Sequence, residues 1–236
     1  MTTVAGDLAP SGVLRASINL GNPVLAQGTA EAPGGVTVDI ARELARRLGV
    51  SLDLVCFDAA RKSFEAMTTG RADLCFLAID PARAAEVAFT APYVVIEGVF
   101  AVPRESGLTS VAEVDAPGVR VGVKEGSAYD LYLSRTLQQA TVVRGVEGVD
   151  VFRDEGLEVA AGIRQPITRY VGEHPELRLI DERFMQIQQA VGTAKAKQPE
   201  TVAYLHDLIE ELKASGFVAA SLAASGQADA AVAPPA

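Results

Sequence analysis

Between residues 13 and 79 the apolar side chains alternate between the period of a strand and the period of a helix, which restricts the chain to few folds. Residues 13–18 are an apolar run broken by Asn19, Asn22 and Pro23. Val36, Ile40, Leu44 and Leu48 then recur every four residues, with Ala41 and Ala45 beside them, while Arg42, Glu43, Arg46 and Arg47 face away. That is one apolar stripe of a helix, and Gly49 ends it. Residues 51–57 read as a second strand. Asp58 is placed to cap the helix that follows, Gly70 ends it, and residues 73–79 read as a third strand. A βαβαβ order predicts parallel strands with helices on both faces of the sheet.

A second series of the same kind begins at Val119. VRVGV reads as a strand, GSAYDLYLSRTL as a turn and helix, TVV as a short strand, residues 147–154 as a polar helix, EVAAGI as a strand and QPITRYVGE as a helix. Residues 187–194 are strand-like. Residues 198–214 carry Val202, Leu205, Leu208, Ile209 and Leu212 on one side of a helix that Ser215 and Gly216 stop. The last dozen residues, small and polar with two prolines, read as a poorly ordered or surface-draped tail. The 236 residues permit one large domain or two lobes.

A net charge of −9 argues against nucleic acid, whose phosphates need clustered Lys and Arg. No apolar stretch reaches the roughly 18 residues of a spanning helix, so the chain is not expected to be membrane-embedded. The start, MTTVAGDLAPSG, shows neither the basic nor the apolar region of a signal peptide. Two compartments stay open: cytoplasmic for the chain as it stands, or periplasmic if a leader was removed. Cys56 and Cys75 lie in apolar runs. If those strands flank a common one, they stand two strand spacings apart, roughly 9–10 Å, beyond the disulfide reach of about 7 Å. Both read as small core residues. His174 and His206 are distant in sequence and sit in polar helix-like surroundings, so no metal site is expected, nor any cofactor.

Residues 70–93, GRADLCFLAIDPARAAEVAFTAPY, hold the chemistry. A buried strand ends in a polar turn, and Arg83 follows near the start of a short helix. A guanidinium just past the carboxyl end of a parallel strand is where an open α/β sheet receives an anionic small molecule. The bland alternative is a structural ion pair with Asp80 or Glu86. Ser127, in the Gly-Ser-Ala turn before a helix, suits an anion-accepting helix start or a plain N-cap, and Ala128 shares the turn. Arg61 and Lys62 follow the second strand at the same end of the sheet. Asn22, Tyr129 and Gln165 are candidate liners for the same topological reason. No nucleophile–base pair, phosphate loop or metal spacing is visible, so no catalytic residue is assigned.

Taken in order, LRASINLGNP, GGVTVDIARELARRLGV, the segment from Gly70 to Tyr93, VGVKEGSAYDLYL and KASGF resemble the solute-binding proteins of polar amino acid ABC transporters, which have the type II periplasmic-binding-protein fold. The segment around Arg83 resembles that family's G-x-x-D, T-x-x-R and F-(S/T)-x-P-Y signature, and the likeness covers residues 13 to about 220. It implies an α/β protein of two lobes, each a mainly parallel sheet flanked by helices, joined by two crossover strands. Residues 1–97 plus 193–236 would form lobe 1 and residues 98–192 lobe 2. A small anionic ligand would be captured between them by hinge closure, with Glu97-Gly98 and residues 190–193 as hinge candidates. The resemblance further implies a monomer that serves an ABC transporter permease or a sensor protein. Arg83 would bind the ligand's carboxylate, and Ser127 would close on it.

Departures from the family pattern narrow the ligand. Phe76 and Ala78 stand where hydroxyl residues are usual, and Asp80 where a threonine is common. In EVAAGIRQP the acid that pairs with an α-amino group is replaced by Ile163 or Arg164. An ammonium without a counter-charge is costly to bury, so the ligand is expected to be a small carboxylate other than a standard α-amino acid. Arg164, if it faces the ligand, favours a second anionic group. The alternative is an enzyme resembling cyclohexadienyl dehydratases, for which Glu97 and Glu158 are the acids in roughly suitable segments.

Overall fold

The computed structural model describes residues 3–236. The chain forms α1 (Val4–Leu8), β1 (Val13–Asn19), a two-strand hairpin of β2 (Gln27–Gly28) and β3 (Pro33–Gly34), α2 (Val36–Leu48), β4 (Ser51–Phe57), α3 (Ala60–Thr68), β5 (Leu74–Ala78), α4 (Pro81–Ala84) and β6 (Val87–Pro103). Then follow β7 (Arg120–Lys124), α5 (Ala128–Thr136), β8 (Thr141–Gly145), α6 (Gly148–Asp154), β9 (Val159–Ile163), α7 (Arg164–Glu173), β10 (Leu177–Ala194), α8 (Pro199–Ala214), α9 (Phe217–Ala224) and β11 (Ala231–Val232). The chain divides into two compact units, residues 1–95 with 188–236, and residues 96–187. β6 and β10 carry the chain from one unit into the other. No helix among the described residues is long and apolar enough to cross a membrane.

In the first unit β1 lies between β4 and β5, parallel to both, and β10 pairs antiparallel with β5 from Gln189 opposite Ala78 to Gly192 opposite Cys75. Every residue of β5 is buried, as its unbroken apolar run requires of a central strand covered on both faces. The helix stripe of the sequence is the buried face of α2: Val36, Ile40, Ala41, Leu44 and Ala45 are all interior. Gly49 ends that helix with φ 65°, the left-handed conformation that a Cβ disfavours, and its N–H bonds back to Ala45 O and Arg46 O. Cys56 and Cys75 lie on the strands either side of β1 and both thiols are free.

In the second unit β7 pairs parallel with β8 and β9, and β9 pairs antiparallel with β6, Gly98 opposite Ile163. Its core joins Val99 and Ala101 of β6, Val151 and Phe152 of α6, Ala160, Ile167 and Leu177. Each large apolar side chain so buried contributes about 1.5–3 kcal/mol, offset by the entropy of ordering it. A Cβ at Gly148 would lie 2.9 Å from Ala161 O and 3.2 Å from Gly122 O, so glycine lets α6 begin directly on the backbone of β7 and β9.

Two expectations about elements need correction. The C-terminal tail is not draped loosely: β11 pairs antiparallel with Val94 and Val95 of β6, Ala230 and Ala233 are buried, and Lys213 Nζ donates to Pro92 O and Pro234 O. Ser215 and Gly216 do stop α8, with Ser215 as its C-cap, and Gly216, at φ 79°, turns the chain into a further helix, α9. The strand expected from residue 187 begins ten residues earlier, at Leu177, where charged and apolar residues mix too irregularly to show the period.

Candidate functional site

The polar turn after β5 forms for reasons visible in its residues. Asp80 is extended and caps α4, its side chain accepting the Ala82 N–H at 2.9 Å, while Pro81 takes the first helical position, where no N–H is needed. This single turn sets Arg83 just beyond the carboxyl end of β5. Arg83 is 3% exposed, and its Nη1 donates to Ala78 O at 3.2 Å. Burial pushes its pKa down from the ordinary value, and the neighbouring Asp80 carboxylate pushes it back up. An arginine stays charged even so, and a cation kept out of water gains strongly from an anion that reaches it.

The other predicted residues of this unit have distinct surroundings. Phe76 and Ala78 are buried on β5, and the Phe76 ring meets that of Tyr93 edge-on at 6.3 Å. The Tyr93 hydroxyl is buried without a hydrogen-bond partner among the described residues. Asn22 is buried too, but its Oδ1 accepts the Val24 N–H and so holds its own turn. Lys62 is ion-paired with Asp58 at 2.7 Å. It borders an open groove of about 330 Å3 at the carboxyl end of β4, with Leu20, Ala30, Cys56 and Phe57 as walls. A larger open groove, about 440 Å3, lies between α2 and α9 and is lined by none of the predicted residues.

In the second unit Ser127 is the N-cap of α5, its Oγ accepting the Asp130 N–H at 3.0 Å. Asp130 is a participant that the sequence reading missed. Its buried carboxylate accepts the Gly126 N–H at 2.8 Å and pairs with Arg144 at 3.0 Å. One amide of the expected anion-accepting turn therefore already faces an internal carboxylate. The N–H groups of Ala128 and Tyr129 have no hydrogen bond among the described residues. The Tyr129 side chain is buried, which raises its pKa.

Arg164 and Gln165 form the first turn of α7, directly after β9. Because β7 and β9 are parallel, this turn and the Ser127 turn lie at the same end of the sheet. Arg164 is held in place by partners from two other elements. Its Nε donates to Glu97 Oε2 at 2.5 Å and its Nη2 to Asp181 O at 2.9 Å, and Arg183 Nη1 reaches the other Glu97 oxygen at 2.9 Å. Hydrogen bonds from Arg183 and Arg164 hold the Glu97 carboxyl below its ordinary pKa against the opposing effect of burial. The Gln165 Oε1 atom is buried with no hydrogen-bond partner among the described residues. Glu158 lies at the opposite end of β9, paired with Arg120 at 2.8 Å, and that pairing lowers its pKa as well.

A model of the bacterial extracellular solute-binding proteins, family 3, matches residues 19–224. No curated protein matches the chain. Among solved structures, a mutant of ArgBP from T. maritima superposes with a TM-score of 0.77 at 20% identity, over 95% of this chain and 99% of that one. The cysteine-binding protein from Campylobacter jejuni gives 0.77 at 19% identity, over 94% and 92%. The ancestral amino acid-binding protein AncCDT-1, a precursor of cyclohexadienyl dehydratase, gives 0.74 at 18% identity, over 93% and 97%. At these identities the likeness establishes the fold, the two-lobed α/β fold of solute-binding proteins.

Proposed function

Because the chain belongs to the bacterial extracellular solute-binding proteins of family 3, we propose that it captures a small molecule by its carboxylate, that this molecule is not a standard α-amino acid, and that the two units close on it to present it to a transporter permease or a sensor. One observation carries the reading: an arginine buried to 3% exposure just past the carboxyl end of the buried strand β5. A planar fork matches two carboxylate oxygens, and hydrogen bonds to charged groups contribute about 1.5–3 kcal/mol each. The resemblance carries that role to Arg83. The start of α5, with two unengaged N–H groups beside Ser127, supports a second contact to the same anion.

The case against an amino acid rests on the first turn of α7. Where an acid would pair with an α-ammonium, this chain has Ile163 or Arg164, and the nearby Glu97 carboxylate is shared between two arginines. The enzyme alternative needs an acid that keeps its proton near neutral pH. Glu97 and Glu158 are both held towards the ionised form, which favours binding over elimination.

Thermal-shift measurement against mono- and dicarboxylates, with and without an α-amino group, tests the reading. A ligand at one hundred times its Kd stabilises the native state by about 2.7 kcal/mol. Carboxylates without the amine are expected to raise the melting temperature, and Arg83→Ala is expected to remove the shift. Tight binding of arginine or histidine, with no response to amine-free acids, would overturn it.

A further inference from the structure

We propose that Arg164 recognises a second anionic group on the ligand, so that the guest is a dicarboxylate, with Glu97 and Arg183 as the residues that position the guanidinium. This deepens the carboxylate-capture reading and rests on it. Three charged side chains meet in the second unit, one from each of β6, α7 and β10. Glu97 stands on β6 next to Gly98, which pairs with Ile163, so its carboxylate arrives beside the first residue of α7. Two guanidiniums share one carboxylate, and the cluster keeps a net charge of +1. Asp181 and Glu182 follow on β10 but are exposed; Asp181 gives Arg164 its carbonyl, and Glu182 accepts the Val111 N–H.

Arg164 is oriented without being exhausted. Its Nε and Nη2 are engaged, and Nη1 has no partner among the described residues. The side chain is 31% exposed, so an anion can reach that edge. Next to it, the Gln165 amide has no hydrogen bond at either terminal atom among the described residues. A carboxylate in this place would meet the free edge of a guanidinium.

A purely structural cluster, stapling three elements together, predicts no ligand preference. Calorimetric titration of the full chain with succinate against butyrate, and glutarate against valerate, separates the two, because each pair differs by one terminal carboxylate. The dicarboxylate of at least one pair is expected to bind about tenfold tighter or more, the scale of a charge-assisted hydrogen bond. Arg164→Gln is expected to bring that ratio close to one. Arg83→Gln should weaken both members together. Equal wild-type affinities within each pair would overturn the inference and leave the capture of a carboxylate standing, and so would a ratio unchanged in Arg164→Gln. If no carboxylate binds at all, the underlying reading fails with it. The wild-type ratio needs no variant to fold.

Discussion

At the scale of single residues, burial decides what a side chain can do. Cys75 is fully buried, and burial pushes its thiol up to about 12, whereas Cys56 is only half-buried and borders the groove beside Lys62. A thiol reacts as its thiolate and only where reagent reaches it. Treatment of the native protein with iodoacetamide at pH 8 is therefore expected to label Cys56 and spare Cys75, with both labelled in denaturant; equal native labelling would contradict the packing around β5. The place of Arg83 after β5 is legible because a motif and a topological rule converge on it. The partners of the other charges are not. Glu97 lies 67 positions from Arg164 and 86 from Arg183, and nothing in one sequence couples them. Asp130 reads as an ordinary first-turn acid of α5, and only the fold reveals that it takes the Gly126 amide.

Elements with a strong period were legible. The stripe on α2, the parallel trio β4, β1 and β5, and the second series from β7 to α7 stand where their patterns place them. Elements whose stability comes from a partner were not. β11 is only two residues, Ala231 and Val232, too short to show a period, and exists because β6 offers it an edge. The first half of β10 mixes Arg, Asp and Glu with apolar residues and shows no alternation. Close contacts between elements test the arrangement. Gly148→Ala would drive a Cβ to within 2.9 Å of Ala161 O, a backbone atom that cannot swing away. Overpacking of this kind costs about 1–3 kcal/mol, so the urea midpoint of that variant should fall at unchanged m. A midpoint equal to wild type would mean that α6 does not begin on the β7 and β9 backbone.

For the whole molecule, paired acids set the response to pH. Glu43 is lowered from 4.5 to about 2 by hydrogen bonds from Arg46 and Arg47, and Glu97, Glu158 and Glu211 are lowered by their own arginines. A folded-state pKa below the unfolded value means that the unfolded chain takes up protons first as pH falls. These groups contribute their stability fully above the ordinary carboxylate range and lose it between about pH 5 and pH 2. Urea midpoints should hold between pH 7 and pH 6 and drop by pH 3; a midpoint unchanged at pH 3 would contradict the ion pairs. The account as a whole turns on Arg83, and calorimetry tests it most directly. Wild type and Arg83→Gln are titrated with the carboxylate that most raises the melting temperature. Loss of a charge-assisted pair is expected to weaken binding about tenfold to a hundredfold. A variant that still folds and binds that carboxylate as tightly as wild type would show that the anchor lies elsewhere.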